Sequence, residues 1–420
     1  MAADARPAPP GPPLAGLTVL DMTLALAGPF ATFLLAGLGA RVIKIEHPDA
    51  PDPCRQNPPY LGPNGVSLGP TGAEDVSVSA LNRLRGKYGV TLNLKRPPAR
   101  EVFADLLRQA DVVVENFSAG TLDRLGVGYA FGRSINPRVI YCSISGFGAT
   151  TTATGTGRAM DSIIQALSGL MMTSGAPGDP PVRVGVPVAD LHAPVFGVVG
   201  ILAALRQRAE TDAGQHVDVS MLGVLTSFVA AEPFDLLEAC GLAQRTGRMV
   251  PRLTPFGVYE SADGHVAICA PTEQFARGVF AAIGRPEFEA DPRYATREAR
   301  VAHVDALNAD IEAFTRTQPT GSLVALLERH GVPAAEVRSP AAGVRDPRVL
   351  ARGETVRLEH PQFGRVADVV GMGMPITFSG AEAAHLRAAP AIGQDNALVY
   401  GEWLGYGADG VERLRAEGVI

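Results

Sequence analysis

The stretch LTVLDMTLALAGPFATFLLAGLGARVIKIE, residues 17–46, decides the fold. It opens with a short apolar run at 17–21, continues in a helix-like segment at 29–38, and closes with a second apolar run at 41–46. Gly39 ends the helix, because glycine readily adopts the left-handed conformation found after helices. A strand, a helix and a strand in this order predict two parallel strands joined by a crossover helix.

The same alternation continues along the chain. Further segments predict strands at 90–94, 111–115, 138–143 and 216–219, and helices at 97–109 and 194–208. We therefore predict an α/β fold whose large, Rossmann-like domain contains a parallel sheet flanked by helices.

Other segments define the remaining organisation. Residues 48–73 are rich in proline and glycine and predict a loop beside a site. A strand pair around the turn at 262–264, followed by helices, predicts a small α+β domain. The predicted divisions are a disordered tail over 1–13, a large domain from 14–230 and 345–420, and a linker with the small domain over 231–344. Within 345–420 we predict an extended segment at 356–370 and a helix at 409–418.

The composition favours a folded enzyme over several other classes of protein. Of the 420 residues, 46% are hydrophobic and 19% are charged, and the length exceeds what one core usually organises. A net charge of -6 argues against a broad nucleic-acid-binding face. The four cysteines are far apart in sequence, which fits neither a disulfide framework nor a zinc site, and we expect no metal.

We expect no membrane segment and a cytoplasmic location. The longest apolar stretch, residues 194–205, is shorter than the roughly 20 residues that a membrane helix needs. The first 13 residues, MAADARPAPPGPP, lack the basic and then apolar regions of a signal peptide.

Four common catalytic and nucleotide-binding motifs do not explain the function of this chain. The turn after the first strand, residues 23–29, lacks the G-x-G-x-x-G of dinucleotide-binding proteins, and the sequence contains neither a Walker phosphate loop nor H-E-x-x-H. Residues 65–69, GVSLG, match the G-x-S-x-G of hydrolases. That match lies within the proline-rich loop instead of between a strand and a helix, so we predict no nucleophile there.

The sequence resembles the class III CoA-transferases, whose members include formyl-CoA and crotonobetainyl-CoA transferases. The matching stretches are DMTLALAGPFAT (21–32) with LGARVIKIE (38–46), ADVVVENF (110–117) with LDRLG (122–126), and VPVAD (186–190). Weaker similarity continues to the C-terminus. The resemblance implies a CoA-transferase that forms an interlocked homodimer and uses an acyl-CoA and a small carboxylic acid as substrates, with no permanently bound cofactor.

Asp190 is the catalytic residue that this resemblance implies. In the family it attacks the donor thioester to give a mixed anhydride, and an aspartyl-CoA thioester follows. The residues themselves agree, because Asp190 ends an apolar segment just before a predicted helix, whose free N–H groups would keep the carboxylate ionised and nucleophilic. On the residues alone, Asp190 could equally be a helix N-cap.

The resemblance also implies a set of CoA-binding residues. Coenzyme A carries phosphates, which require cations and hydrogen-bond donors. The positions that match the family's CoA-binding positions are His47, Arg85, Lys87, Asn116, Phe117 and Arg124. On the residues alone, Arg85 and Lys87 could belong to a solvated surface turn, and Asn116 could be a helix cap.

Departures from the family concern the acyl pocket. Ala25 and Leu26 occupy a turn that is more polar in some relatives, and Ser145 stands where formyl-CoA transferases have lysine, so we expect neither formyl-CoA nor oxalate as a substrate. Succinyl-CoA or another dicarboxylyl-CoA is the expected donor. His192 lies two residues after Asp190 and is either a structural group or a member of this pocket.

Two other functions compete with CoA transfer. An α-methylacyl-CoA racemase would share the fold, but it needs a histidine where this chain has Met160, and a thioether cannot carry a proton. The second alternative is a CoA-binding protein without catalytic activity, against which the presence of Asp190 argues.

Overall fold

The structure is a computed structural model that describes residues 11–149, 159–382 and 384–420. It contains two compact units. The larger unit comprises the chain up to Ser168, Val184–Ala231 and Val344–Ile420, and the smaller unit comprises Gly169–Arg183 and Glu232–Gly343. Residues 169–183, which the sequence interpretation assigned to the large domain, therefore belong to the smaller unit.

A six-stranded parallel sheet forms the centre of the larger unit. Its strands are β1 (Thr18–Met22), β2 (Arg41–Glu46), β3 (Lys87–Thr91), β4 (Val112–Glu115), β5 (Ile140–Ser145) and β6 (His216–Ser220). Their order is β3-β2-β1-β4-β5-β6, with every neighbouring pair parallel. This is the order of the doubly wound dinucleotide-binding sheets, in which the strand order reverses between β1 and β4.

The predicted strands are confirmed, and their ends differ from the predicted ones by at most three residues. The largest difference is in β3, which was predicted to begin at residue 90 and begins at Lys87. Hydropathy did not indicate this start because Lys87 is a charged residue that is nevertheless fully buried. Its position opposite Val42 in the register makes it part of the sheet.

Helices cover both faces of this sheet. Those of the larger unit are Ala27–Gly37, Val78–Arg83, Ala99–Arg108, Thr121–Arg124, Tyr129–Ile135, Asp161–Leu167, Val188–Thr211, Met221–Val229, Pro347–Ala351 and Gly407–Ala416, with a π-helix at Ala397–Trp403 and a 3₁₀ turn at Pro53–Gln56. On one face, Leu20 and Val113 pack with Phe103 and Leu414 from the helices. Burial of these apolar side chains supplies the main stabilisation of the unit.

The helix Val188–Thr211, called the long helix below, is longer than predicted. We predicted it from residue 194, but it begins at Val188, and Pro194 lies inside the helix. The long helix has 24 residues and contains an 18-residue window with a mean hydropathy of 1.9, so it is long and apolar enough to cross a membrane. The core helix of a soluble protein can have the same composition, and this one packs against Ala27–Gly37 and strands β5 and β6.

Two small antiparallel sheets complete the larger unit. Their strands are Tyr60–Gly62, Gly65–Ser67 and Val76–Ser77 in one sheet and Thr355–His360 and Gly364–Met372 in the other. The segment predicted as extended at 356–370 is thus a hairpin. Ser67 lies in a strand of the first sheet and donates its hydroxyl to the Gly69 carbonyl at 2.7 Å, so it does not form a nucleophile elbow.

The smaller unit has an antiparallel sheet covered by helices. Its strands are Phe256–Glu260, His265–Cys269 and Ala334–Glu336, its helices are Phe234–Ala239, Glu273–Ala282, Arg297–Ala302, Val304–Thr315, Thr320–Arg329 and Pro340–Gly343, and 3₁₀ turns occur at Leu170–Met172, Pro251–Leu253 and Pro286–Glu289. The first two strands flank the predicted turn at 262–264. This strand pair followed by helices agrees with the predicted α+β arrangement.

Candidate active site

A cavity of about 650 Å³ lies at the carboxyl ends of β1, β4 and β5. Its walls include residues 24–27 after β1, 116–119 after β4 and 145–148 at the end of β5. Ligands of doubly wound sheets bind outside the carboxyl ends of the strands, where the strand order reverses. The cavity occupies that position, because β1 and β4 are the neighbours at which the order reverses.

Eight of the predicted site residues line this one cavity. They are Ala25, Leu26, Asn116, Phe117, Arg124, Ser145, Met160 and Asp190. Among the described residues that line it, Arg124 carries the only positive charge. Arg124 donates to the Thr121 hydroxyl at 2.9 Å, which leaves most of its guanidinium N–H groups available to a ligand.

Four predicted residues lie elsewhere. Arg85 borders a different cavity of about 600 Å³ and donates to the Met372 carbonyl. His47 accepts a hydrogen bond from the Asp49 amide, and His192 contacts the Val188 carbonyl through Nδ1 at 2.7 Å. Lys87, the fourth, is fully buried in the sheet.

Asp190 forms part of the cavity wall from the first turn of the long helix. It is the third residue of that helix, whereas the sequence placed it just before the helix. Its side chain is half-buried, and no hydrogen-bond donor from the described residues reaches its carboxylate. The carboxylate is therefore free to approach a substrate in the cavity.

A second carboxylate, Asp161, lies beside Asp190. Its Oδ1 accepts from the Ala189 amide at 2.8 Å and from the Asp190 amide at 3.4 Å, and its Oδ2 accepts from Gln165 Nε2 at 2.7 Å. Gln165 is itself fully buried, and its Oε1 accepts from the Val184 amide at 2.9 Å. Asp161 thus caps the long helix and occupies the free N–H groups that we had expected to act on Asp190.

This arrangement raises the pKa of Asp190 instead of lowering it. Burial is the largest cause and the negative charge of Asp161 the second, while the positive charge of Arg83 opposes them, and the pKa rises to about 6. The helix N-terminus, which we expected to keep the carboxylate ionised, therefore does not lower this pKa. At neutral pH the group is still mostly ionised, and a more basic carboxylate is the stronger nucleophile.

The turn that carries Ala25 is held by side chains from several elements. Asn116 accepts from the Leu24 amide at 2.8 Å and donates to the Leu24 carbonyl at 2.9 Å. Ala25 has a φ of 65°, its amide donates to Asp52 Oδ1 at 2.9 Å, and its carbonyl accepts from Arg83 at 2.9 Å. Asn116, expected to contact CoA, therefore uses its amide group to position this turn.

The close approach at Asn116 also explains a glycine in the matching motif. A Cβ atom on Gly28 would lie 2.2 Å from the Thr23 Cβ and 3.0 Å from the Asn116 Cγ. Only glycine fits there without displacing the turn.

A buried ionic network lies beneath the same turn. Its members Asp21, Lys44, Asp52 and Lys87 all have side chains that are 0% exposed. Lys44 Nζ lies 3.0 Å from Asp52 Oδ2, and Lys87 Nζ lies 2.8 Å from Asp21 Oδ2. Lys87 also donates to the Pro29 carbonyl at 2.9 Å, so its ammonium group supports the turn and is not available to a phosphate.

Opposite charges outweigh the effect of burial on two groups of this network. Burial opposes the ionisation of Asp21, but the ammonium groups of Lys44 and Lys87 hold its pKa well below its usual range. Burial likewise opposes charge on Lys44, and the neighbouring carboxylates raise its pKa. Both groups are therefore charged at neutral pH.

The sequence interpretation missed Asp161, Gln165, Asp52 and Arg83. A signal existed for the first two, since aspartate and glutamine four residues apart face each other on a helix. Asp52 lies in the loop that we expected to border a site, and Arg83 had no local signal. Among the described residues, no cluster of three histidine, cysteine or acidic side chains could hold a metal ion.

Comparison with known proteins agrees with this geometry. The sequence model of CoA-transferase family III matches residues 14–396. The chain is 36% identical to an acetyl-CoA:oxalate CoA-transferase of Acetobacter aceti, over 95% of this chain and 98% of the relative. It is 34% identical to a succinate–glutarate CoA-transferase of Agrobacterium fabrum, over 93% and 96% of the two chains.

A solved structure is similar as well. The crystal structure of a CaiB/BaiF family protein from Brucella suis superposes with a TM-score of 0.79 and 32% sequence identity, covering 93% of this chain and 99% of that one. The match of the family model across most of the chain and the identity to curated relatives agree. The chain belongs to CoA-transferase family III.

Proposed function

We propose that this CoA-transferase moves coenzyme A from a dicarboxylyl-CoA to a free carboxylic acid and that Asp190 is its nucleophile. The observation that carries the proposal is the state of Asp190. Its carboxylate lies in the wall of a cavity of about 650 Å³, accepts no hydrogen bond from the described residues and has a pKa of about 6. Such a group is ionised, weakly solvated and able to attack a carbonyl carbon.

The proposed reaction conserves the thioester energy in covalent form. An Asp190 oxygen attacks the donor carbonyl carbon, the C–S bond breaks, and a mixed anhydride and CoA thiolate result. The thiolate attacks the Asp190 carbonyl carbon, which gives aspartyl-CoA and releases the donor acid with one Asp190 oxygen. The acceptor carboxylate then attacks aspartyl-CoA, the C–S bond breaks, and a second mixed anhydride and CoA thiolate result. The thiolate attacks the acceptor carbonyl carbon, which gives the acceptor CoA thioester and leaves one acceptor oxygen on Asp190.

Coenzyme A is proposed to enter along the β4 side of the cavity. Arg124 offers free N–H groups there for a phosphate, and Phe117 lines the same wall. The acyl group then lies towards Asp190, Met160 and the turn at Ala25. No residue is therefore assigned to both coenzyme A and the acyl group.

The proposed substrate class follows from the relatives. The names of the two relatives above contain succinate, glutarate and oxalate, which are all dicarboxylates. Oxalate, which we did not expect from Ser145, becomes a candidate again because the Acetobacter relative is named for it. The acyl pocket has an apolar wall at Leu24 and Leu26, against which the methylene groups of a longer dicarboxylate can pack. The proposed substrate class therefore includes longer dicarboxylates as well as oxalate.

The racemase alternative is less well supported by the cavity. No imidazole occurs among the described residues that line it, and Met160 occupies the wall beside Asp161. A racemase must accept a proton on one face of its substrate and return one on the other. A thioether supplies neither step.

A homodimer is part of the proposal. Several apolar side chains of the long helix are exposed, among them Val195 and Phe196 at 44% each and Val199 at 59%. A second copy of the chain would bury such a surface. Sedimentation velocity measures the mass directly, and a monomer at micromolar concentration would contradict this part.

The function is tested by a screen of acyl-CoA donors against free acids, read by mass spectrometry of the CoA products. We expect transfer with dicarboxylyl donors, and a loss of at least about a thousandfold in Asp190→Ala and Asp190→Asn because the nucleophile is removed. The control is Asp409→Asn, which changes an exposed carboxylate of the C-terminal helix. Transfer by Asp190→Ala at the wild-type rate would overturn the mechanism.

A further inference from the structure

The acyl end of the cavity already contains two negative charges. Asp161 and Asp190 both line it, and a dicarboxylyl substrate would add a third charge with its distal carboxylate. A charge that is removed from water without a partner is strongly destabilised. The proposed substrate class therefore requires a cation near this end.

Arg124 does not meet this requirement. It follows β4, beside Asn116 and Phe117, where the proposal places coenzyme A. The required cation must therefore lie next to the other side of the cavity wall, which the residues after β1 form.

Arg83 is such a cation. It ends the helix Val78–Arg83, and its Nη1 donates to the carbonyl of Ala25, a wall residue, at 2.9 Å. Its charge reaches the reacting carboxylate, because it opposes the rise in the pKa of Asp190. No carboxylate of the described residues lies within ion-pair distance of Arg83, and the bond to Ala25 uses one of its five N–H groups.

We infer that Arg83 binds the distal carboxylate of the dicarboxylyl group and so selects dicarboxylic over monocarboxylic substrates. This inference rests on the proposed function. A guanidinium group presents paired N–H donors that match a carboxylate, and it stays charged throughout the working pH range. The bond to the Ala25 carbonyl holds the guanidinium group against a wall residue of the cavity.

The test compares two donors with the same four-carbon chain. Succinyl-CoA has a distal carboxylate and butyryl-CoA has a methyl group in its place. The measurement is the specificity constant, kcat/KM, for each donor with one acceptor, in the wild type, Arg83→Gln and Arg83→Lys. Arg108→Gln serves as a control for net charge. Arg108 is 51% exposed and ends the helix that precedes β4, so it lies near the amino end of that strand, whereas the cavity lies at the carboxyl ends of the strands.

We expect the wild type to prefer succinyl-CoA. Arg83→Gln should lower the ratio of kcat/KM for succinyl-CoA to kcat/KM for butyryl-CoA by about 10- to 100-fold, the usual range for one charge-assisted contact, and any loss through the turn at Ala25 is common to both donors. Arg83→Lys should retain part of the preference, and Arg108→Gln all of it. An equal loss for both donors, or a wild type without the preference, overturns the role of Arg83.

These outcomes are separate from a failure of the proposed mechanism. If Arg83 has only a structural role at Ala25, both donors lose activity together while a CoA adduct still forms on Asp190. If Asp190 is not the nucleophile, no such adduct forms, and the ratio between the donors still reports on Arg83. Hydroxylamine trapping of the adduct in Arg83→Gln distinguishes the two cases.

Discussion

Two groups of carboxylates in the larger unit have opposite properties. Beneath the turn, Asp21 is fully buried, yet its pKa is held far below the usual range because two lysines contact it or lie close to it. In the cavity, the pKa of Asp190 rises to about 6, because burial raises it and the negative charge of Asp161 adds to that rise. Burial raises the pKa of both carboxyl groups, and the charged neighbours decide whether that rise is reversed, as at Asp21, or reinforced, as at Asp190.

This difference separates structural from reactive groups. The paired charges beneath the turn satisfy one another and fix the backbone around Ala25. The charge on Asp190 has no such partner, and a group left in this state is destabilising in the free protein but available for chemistry. Each prediction below changes one side of this contrast.

The largest effect is expected for Asp21→Asn. The change leaves Lys87 without its carboxylate and should lower the free energy of unfolding by about 3–5 kcal/mol at neutral pH. The pKa of Asp21 is lowered by folding, so its stabilisation is present above its ordinary pKa and is lost only as the pH falls through the lower folded value. Urea unfolding measures the effect, with Asp409→Asn as the control, and an unchanged midpoint would show that the network is not structural.

A smaller effect of opposite sign is expected for Asp190→Asn. Folding raises the pKa of Asp190 from 3.8 to about 6, so its contribution to stability is fully present below 3.8 and is lost as the pH rises through 6. The amide removes this cost, and the variant should be more stable than the wild type by about 1–2 kcal/mol near pH 8. The two proteins should converge below about pH 4, and urea titrations at both values test this. A variant less stable at the higher pH would mean that the Asp190 carboxylate is paired.

The smallest effect is expected for Asp161→Asn. Activity should rise with pH through the pKa of Asp190, near 6, since the ionised form attacks the donor. Removal of the neighbouring negative charge lowers that pKa, so the acid limb of the single-turnover rate should move to lower pH. The rate near pH 8 should fall by less than about tenfold, because a less basic carboxylate is the weaker nucleophile.

Gln165→Leu is the matched control for that experiment. It removes the bond to Asp161 Oδ2 and keeps the charge of Asp161. The acid limb should stay near pH 6 in this variant. A limb that moves equally in both variants would mean that Asp161 acts through local structure and not through its charge.

The sequence was sufficient for the sheet and for much of the cavity wall. Apolar runs fixed the strands, and because the carboxyl ends of neighbouring parallel strands meet, residues as distant as Ala25, Asn116 and Ser145 come together. Those residues were identified by family resemblance, and the sheet explains why they share one site.

The remaining features depend on contacts that no local pattern encodes. Lys87 was predicted to bind coenzyme A because its position matches the family's, whereas its ammonium group is buried against Asp21, which is 66 residues away. The capping of the long helix by Asp161 joins residues 28 apart, and it occupies the N–H groups that we expected to act on Asp190. Such partners become visible only when the chain is folded.

The central claim is that an Asp190 oxygen is exchanged during every turnover. The direct test is to form aspartyl-CoA with a donor and add an acceptor acid whose carboxylate oxygens both carry the heavy isotope. The account predicts that the peptide containing Asp190 gains the mass of one heavy oxygen atom as the acceptor becomes its CoA thioester. Complete conversion of the acceptor with no label in that peptide would contradict it.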